Sequence, residues 1–265
     1  MKKTDNFFII SNYKHDPRYL LEYCKDYLIC NQSDDSEIRN ILKGTNYIET
    51  QHTGHNITDY FNFFIENYNS LPEYMALLKG NIIDRHVSKE FFNKVYDNKF
   101  YTFLYNDRNS WSKIKKDVFF LSMENQYLEY NNDWYVPYHP HKYFGSFNSL
   151  LKFIYKDPLI PEYCCFSPGA CYIVSKYQVL KNSKEFYINL NKLISYTLKP
   201  SFPSEAHQIE RMLPIIFSSN YEVNSYMNDE SLFDEILLDS AVLNNKYVKK
   251  QRSAVREIVK FFSHC

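Results

Sequence analysis

The chain has 265 residues, with 31 lysines and arginines against 31 aspartates and glutamates, so its formal net charge is zero. This length suits one large domain or a domain with an appendage. A zero balance argues against a general nucleic-acid-binding protein, because such proteins neutralise phosphates with an excess of basic side chains. The zero net charge is still compatible with a small anionic ligand held by one or two cationic side chains.

Glycine and cysteine usage excludes several further classes. The five glycines form neither a GxGxxG motif nor a P-loop. The six cysteines contain no CxxC pair, so we expect reduced thiols rather than a zinc site or a disulfide framework. No stretch approaches the roughly 18 apolar residues of a membrane span, and the apolar run after Asn6 is too short for a signal peptide. We therefore expect a cytoplasmic protein.

The first 80 residues alternate between strand and helix patterns. Residues 7–10 predict a short buried strand, and Asp16 with Pro17 predicts the start of a helix. The apolar stripe of that helix would be Tyr19, Leu20, Tyr23, Tyr27 and Leu28. A second short strand at 47–50, a helix through 60–68 and a central strand at 74–79 follow. This alternation predicts an α/β fold with a mostly parallel central sheet flanked by helices.

The remainder of the chain is less regular in pattern. We expect a helix at 87–96 capped by Ser88, one strand at 118–121, and otherwise an irregular segment between 98 and 145. A helix at 146–155, a tight turn at 166–170, a strand at 171–174 and a helix at 186–193 follow. Ser204 should cap another helix, which Pro214 should kink. We expect one domain over 1–220 and a helical C-terminal extension over 221–265 packed on it.

Polar residues that suit ligand binding follow the central strand. Asn81, Asp84 and His86 come after Lys79 and Gly80, where that strand ends. In open α/β sheets, ligands sit outside the carboxyl ends of the strands, so the sequence predicts a site here. A helix-capping loop with exposed polar residues would give the same pattern.

Two further groups of residues admit both a structural and a functional interpretation. His52, His55 and Asn56 precede a helix, so Asn56 either caps that helix or the helix N-terminus faces a phosphate. His207, Glu210 and Arg211 share one helical face by their spacing. That face is either solvated, with an internal Glu210–Arg211 ion pair, or part of a site.

Three segments together resemble a family of mostly uncharacterised proteins grouped with the GT-A-type glycosyltransferases. They contain Glu66-Asn67-Tyr68 with Leu71-Pro72, Ser167-Pro168-Gly169-Ala170, and Glu210-Arg211-Met212. Ser11-Asn12-Tyr13 also lies where such proteins carry a strand-end Tyr-Asn pair, here in reversed order. The resemblance spans residues 7–217 and implies a GT-A-like fold. It also implies transfer of a sugar from a nucleotide-diphosphate donor to a glycan or lipid-linked acceptor, for example in surface-polysaccharide biosynthesis.

If the protein is such a transferase, the positions of residues at strand ends and helix starts suggest their roles. Asn12 and Tyr13 would lie by the nucleotide base, and Asp84 and His86 by the diphosphate. Glu205, or as second choice Glu210, would be the general base that deprotonates the acceptor hydroxyl. The other expected donor-binding residues are Lys79, Asn81, Arg85, Gly169 and Arg211.

The chain departs from the usual pattern at the metal site, where GT-A enzymes commonly carry an Asp-x-Asp pair. Either Asp84 and His86 bind the metal, or the site is metal-independent and Arg85 or Lys79 neutralises the phosphates. With a histidine ligand we expect Mn²⁺ rather than Mg²⁺, because Mg²⁺ prefers oxygen ligands.

The sequence also allows two other functions and a contact with a membrane. The missing Asp-x-Asp pair favours a non-catalytic nucleotide- or carbohydrate-binding protein on the same scaffold. His139 and His141 would suit a metal-dependent hydrolase, although they also fit a surface loop. The basic helix expected at 248–262 would either pack on the domain or contact the inner face of an anionic membrane.

Overall fold

A six-stranded sheet forms the centre of the protein. The computed structural model describes residues 2–83, 85–115, 118–124, 126–139, 141–196 and 202–237. The strands of this sheet are β1 (Phe7–Asn12), β2 (Tyr27–Asn31), β3 (Tyr47–Glu49), β4 (Tyr74–Lys79), β5 (Thr102–Phe103) and β10 (Tyr172–Ser175), in the order β3-β2-β1-β4-β10-β5. Strands β1 to β4 are parallel, and β10 runs antiparallel to both β4 and β5. The architecture is therefore α/β with a mixed central sheet.

A second, antiparallel sheet occupies much of the region that was predicted to be irregular. Its strands, in spatial order, are β6 (Asn106–Lys115), β7 (Val118–Glu124), β8 (Gln126–Tyr130) and β9 (Tyr163–Phe166). The strand predicted at 118–121 is confirmed as part of β7. Strand β8 was missed because its buried position is occupied by Glu129, a charged residue that breaks the apolar pattern.

Helices cover both faces of the central sheet. They are α1 (Ser36–Leu42), α2 (Ile57–Glu66), α3 (Lys89–Val95), α4 (Phe147–Ile154), α5 (Lys176–Val179), α6 (Lys184–Ile194) and α7 (Ser204–Ser218). Along β1, Ile9 points into the core formed with α2, α4, α6 and α7, whereas Phe8 and Ile10 point into the core formed with α1 and α3. Burial on both faces explains why β1 and β4 are continuous apolar runs.

The helix predicted from Asp16 is wrong. Arg18–Glu22 is a single 3-10 turn, and Tyr27 and Leu28 belong to β2, which pairs in parallel with β1. Asp16 accepts a hydrogen bond from the Arg18 amide at 3.1 Å and thereby closes a local turn instead of capping a long helix. The predicted cap of α7 is also displaced by one residue, because Pro203 occupies the N-cap position and Ser204 is already helical.

The chain beyond α7 packs onto the larger core as far as it is described. Ser225–Asn228 is a 3-10 turn, residues 230–237 are helical, and Met227, Phe233 and Leu237 are buried in that core. The basic helix predicted at 248–262 lies outside the described residues. In the described part of the chain, none of the helices has the length and apolarity needed to cross a membrane.

Candidate functional site

The order of the central sheet reverses between β1 and β4. From β1 the chain proceeds outward to β2 and β3, and β4 then lies on the opposite side of β1. Ligands of open α/β sheets bind at such a switch point, outside the carboxyl ends of the strands. Here β1 ends at Asn12 and β4 ends at Lys79, so these two residues flank the crevice. We call this region the strand-end cleft.

Asn12 and Gly80 approach each other closely at the base of this cleft. The Asn12 side chain is fully buried, and its Oδ1 has no hydrogen-bond partner among the described residues. A Cβ atom added to Gly80 would lie 2.1 Å from that oxygen. A glycine is therefore required at position 80 for Asn12 to keep its place.

Two cations lie at the end of β4 and just beyond it. Lys79 is half-buried, and its ammonium has no hydrogen bond or ion pair with any residue that the structure describes. Arg85 is exposed and lies close enough to His86 to act on its charge. Burial, with a smaller contribution from the positive charges of Lys79 and Arg85, lowers the pKa of His86 to about 3. The positive charge of Lys79 also acts on the Glu210 carboxyl group. The cleft therefore combines two cations with one carboxyl group beside a neutral imidazole, which favours an anionic ligand.

Gly169, in the turn before β10, is the point where three other segments meet. Its amide donates to Glu210 Oε1 of α7 at 2.7 Å, and its carbonyl accepts from Asn56 Nδ2 at 2.7 Å. A Cβ atom on Gly169 would lie 2.7 Å from His86 Nε2, and its φ is +89°. Asn56 occupies the N-cap position of α2, yet its side chain makes no cap hydrogen bond and binds Gly169 instead. This glycine thus holds the loop after β4, the start of α2, and α7 together.

Three histidines from separate segments also come together here. His55 Nε2 lies 3.4 Å from His207 Nε2, and the ring centre of His139 lies 3.9 Å from that of His207. Burial lowers the pKa of His55 to about 3 and the pKa of His207 still further. At neutral pH both imidazoles are therefore uncharged, and one ring N–H is positioned to donate to the other ring.

Tyr13 extends the cleft at the end of β1. Its ring stacks on His52 with a centroid distance of 3.9 Å and an interplanar angle of 10°. The Tyr13 side chain remains 39% exposed. An exposed aromatic ring held flat at a strand end offers a surface on which a planar ligand group can stack.

The described residues do not by themselves form a metal site. Asp84, which was predicted to share a metal with His86, lies outside the described residues. Within the described ranges, no three His, Cys, Asp or Glu side chains are grouped so that they could hold a metal ion. His86 Nε2 is buried without a hydrogen-bond partner in this part of the chain, and Asn81 Nδ2 lies 3.0 Å from His15 Nε2. One imidazole nitrogen is too few donors, so we derive no step through a metal.

Glu205 lies away from the strand-end cleft. Its Oε1 accepts hydrogen bonds from the amides of Lys142, Tyr143 and Phe144 at 3.0, 2.7 and 3.1 Å. Its Oε2 accepts from the Tyr196 hydroxyl at 2.6 Å, and the residue is fully buried. Because four donors occupy the carboxylate, Glu205 fixes the loop at 142–144 onto α7 and is not available to a substrate hydroxyl.

Arg211 is also directed into the core. Its guanidinium pairs with Glu129 of β8, donates to the His207 carbonyl at 2.9 Å, and lies 3.8 Å from the centre of the Tyr135 ring. The Glu210–Arg211 ion pair considered from the sequence is present, although it is long at 3.8 Å. Arg211 thus stabilises the contact between α7 and the second sheet, and we do not assign it to ligand binding.

A buried polar network behind the cleft was missed from the sequence. Asp59 Oδ2 accepts from Ser11 Oγ at 2.5 Å and from Gln32 Nε2 at 2.8 Å, and Gln32 also donates to the His55 carbonyl at 2.8 Å. Gln32 follows β2, which the sequence pattern had placed in a helix. Correct assignment of that strand would have located Gln32 at a third strand end of the same crevice.

The structure therefore separates the predicted site residues into three groups. Asn12, Lys79, His86, Gly169 and Glu210 come together at the switch point, Tyr13, Asn81 and Arg85 lie at its margin, and Glu205 and Arg211 lie in the core. Comparison with protein-family models, with curated proteins and with solved structures finds no match to this chain. Its function must therefore be inferred from these residues and their geometry.

Proposed function

We propose that the protein is a GT-A-like glycosyltransferase that uses a nucleotide-sugar donor. The observation that supports this most strongly is the half-buried Lys79 ammonium, unpaired among the described residues, at the switch point between β1 and β4. A diphosphate is the most highly charged part of such a donor, so Lys79 binds it, and Arg85 adds a second charge from the margin. Both cations also stabilise the negative charge that develops on the departing diphosphate.

The nucleoside of the donor lies at the end of β1 in this proposal. Tyr13 stacks on the base, since its ring is flat against His52 and still partly exposed. Asn12 is buried against Gly80 and holds the strand end in place beside Tyr13. These two residues also belong to the segments on which the resemblance to GT-A-type enzymes rests.

Glu210 is the general base in this proposal, in place of Glu205. Its side chain is 19% exposed, and it is held at the cleft by the Gly169 amide. The carboxylate removes the proton from the acceptor hydroxyl as the oxygen bonds to the anomeric carbon of the sugar. The bond between that carbon and the diphosphate oxygen breaks, and its electron pair leaves with the nucleoside diphosphate. The acceptor is a glycan or a lipid-linked glycan.

A non-catalytic nucleotide- or carbohydrate-binding protein is the second candidate. It is favoured by the missing Asp-x-Asp pair after the central strand and by the structural role of Glu205. This alternative predicts that a nucleotide sugar binds in the strand-end cleft without turnover. Replacement of Glu210 by glutamine would then leave the binding of the nucleotide sugar unchanged.

The discriminating experiment measures the release of nucleoside diphosphate from UDP-, GDP- and CDP-sugars, each with and without Mn²⁺. We expect release from one donor class, and the Mn²⁺ arm tests Asp84 and His86 as metal ligands. Glu210→Gln should lower the rate by about 100-fold or more, the usual contribution of a positioned base. The control is Glu185→Gln, which changes a carboxylate in the first turn of α6 and should retain the wild-type rate. Binding of a nucleotide sugar without release of nucleoside diphosphate would favour the second candidate. Absence of both binding and release would refute both candidates.

A further inference from the structure

Two strained turns meet beside the strand-end cleft. In the turn before α2, Gly54 and His55 have φ values of +58° and +56°. In the turn before β10, Gly169 and Ala170 have φ values of +89° and +54°. A positive φ is uncommon for residues other than glycine, and such strain collects at functional sites. The two turns are joined by one hydrogen bond, from Asn56 Nδ2 to the Gly169 carbonyl at 2.7 Å.

Asn56 lies where an asparagine usually caps a helix, but its side chain is used differently. It occupies the N-cap position of α2, is 5% exposed and makes no cap hydrogen bond. Its Nδ2 donates to the Tyr60 hydroxyl as well as to the Gly169 carbonyl, in both cases at 2.7 Å. Tyr60 is fully buried in the larger core, so it anchors the Asn56 side chain. Asn56 therefore connects the core to the turn before β10.

The same turn holds the Glu210 carboxylate. The Gly169 amide donates to Glu210 Oε1 at 2.7 Å, whereas Oε2 forms only the long ion pair with Arg211, at 3.8 Å, within the described part of the chain. Burial raises the pKa of Glu210, and the charges of Arg211 and Lys79 and the hydrogen bond from Gly169 oppose that rise. One carboxylate oxygen is thus fixed by the turn, and the other is left for a substrate.

We propose that Asn56 is a positioning residue for the general base of the transferase. It holds the Gly169 turn, the turn occupies Oε1 of Glu210, and Oε2 takes the proton of the acceptor hydroxyl. The inference rests on the proposed function, because Glu210 is a base only if the sugar is transferred. Precise placement of this carboxylate matters, since a misplacement of about 1 Å can cost about 100-fold in rate.

Titration of the Glu210 carboxyl group by ¹³C NMR tests the connection without any substrate. The full chain carries ¹³C-labelled glutamate, and the signal of Glu210 is the one missing from Glu210→Gln. Asn56→Leu retains the size of the side chain but removes its donors, so the Gly169 turn is released and the pKa of Glu210 should rise. Tyr60→Phe removes only the anchor of Asn56 and should raise this pKa by less. It also retains the buried ring, so it gives the same test should Asn56→Leu not fold.

The matched control is Asn189→Leu. Asn189 of α6 is also buried, and its Nδ2 donates to the Met227 carbonyl at 3.1 Å. Its replacement removes the same kind of hydrogen bond and lowers stability in the same way. Because this bond does not involve the turn at Gly169, the titration of Glu210 in Asn189→Leu should match that of the wild type.

Release of nucleoside diphosphate gives the kinetic readout. In Asn56→Leu we expect kcat to fall by about tenfold or more with the KM of the donor unchanged. The acid limb of the pH–rate profile should move to higher pH, because the base must be unprotonated. Asn189→Leu should show neither change.

An unchanged Glu210 titration in both Asn56→Leu and Tyr60→Phe would overturn the proposal, as would an equal change in Asn189→Leu. A wild type that releases no nucleoside diphosphate from any donor would refute the proposed function instead. In that case a raised Glu210 pKa in Asn56→Leu would still support the control of this carboxylate by Asn56.

Discussion

The pH dependence of stability should show a strong contribution from Asp59. Burial raises the pKa of this carboxyl group from 3.8 to about 7, against the opposing hydrogen bonds from Ser11, Thr50 and Gln32. The folded state therefore holds the proton more tightly than the unfolded chain does. The stabilisation that results is complete below about pH 4 and is lost progressively as the pH rises to about 7. A difference of about three pKa units corresponds to about 4 kcal/mol, and no discount for solvent applies, because Asp59 is 1% exposed.

Asp59→Asn isolates this contribution, since the variant shares every other titrating group with the wild type. The asparagine carbonyl can accept the hydrogen bonds from Ser11 and Gln32, and the amide then lies beside the Thr50 hydroxyl that bonds Asp59 in the wild type. Urea unfolding at several values between about pH 4 and pH 8 gives the free energy of unfolding of both proteins. The variant's stability relative to wild type should rise by about 4 kcal/mol across that range. A difference that stays flat or falls with pH would refute the argument for a proton held by burial.

Three further predictions concern the groups that hold α7 and the turn before β10. Glu205→Gln should lower the free energy of unfolding by roughly 2 kcal/mol, since an amide cannot accept all four hydrogen bonds; equal stability in urea would contradict this. Arg211→Met should cost roughly 3–5 kcal/mol by leaving Glu129 charged and unpaired, and adding Glu129→Gln should recover part of the loss, as a double-mutant cycle would measure. Gly169→Ala should lower the melting temperature by several degrees, corresponding to roughly 1–3 kcal/mol, because a side chain there strains a positive φ and meets His86. An unchanged melting temperature would show that the turn can relax.

The parallel half of the sheet could be predicted because its central strands have a recognisable sequence pattern. β1 and β4 are buried on both faces, so each appears as an uninterrupted apolar run. β2 could not be recognised, because the spacing of Tyr23, Tyr27 and Leu28 also fits a helix. Only the pairing of β2 with β1 decides between the two structures.

The site could be predicted where it depends on strand ends and not where it depends on packing between distant segments. Lys79 and His86 follow from the position of β4, and Gly169 follows from its turn. Glu205 and Glu210 lie on the same helix and could not be distinguished by sequence. Their roles differ because the loop at 142–144 binds one carboxylate and the Gly169 amide binds the other.

The most direct test of a nucleotide-binding switch point is a thermal-shift comparison of two lysine variants. Lys79→Met removes the unpaired ammonium at the end of β4. Lys184→Met removes an exposed lysine at the start of α6 and serves as the control. The neighbouring Asn182 carbonyl accepts a hydrogen bond from Tyr68, which follows the C-terminal end of α2. Lys184 therefore lies near the end of α2 that is farther from the cleft. A nucleoside diphosphate at about 100 times its Kd should stabilise the wild type and Lys184→Met by about 2.7 kcal/mol.

Under the same conditions, with and without Mn²⁺, we expect the shift to disappear in Lys79→Met. A full shift in Lys79→Met, or no shift of the wild type with any of UDP, GDP or CDP, would contradict the assignment of the strand-end cleft.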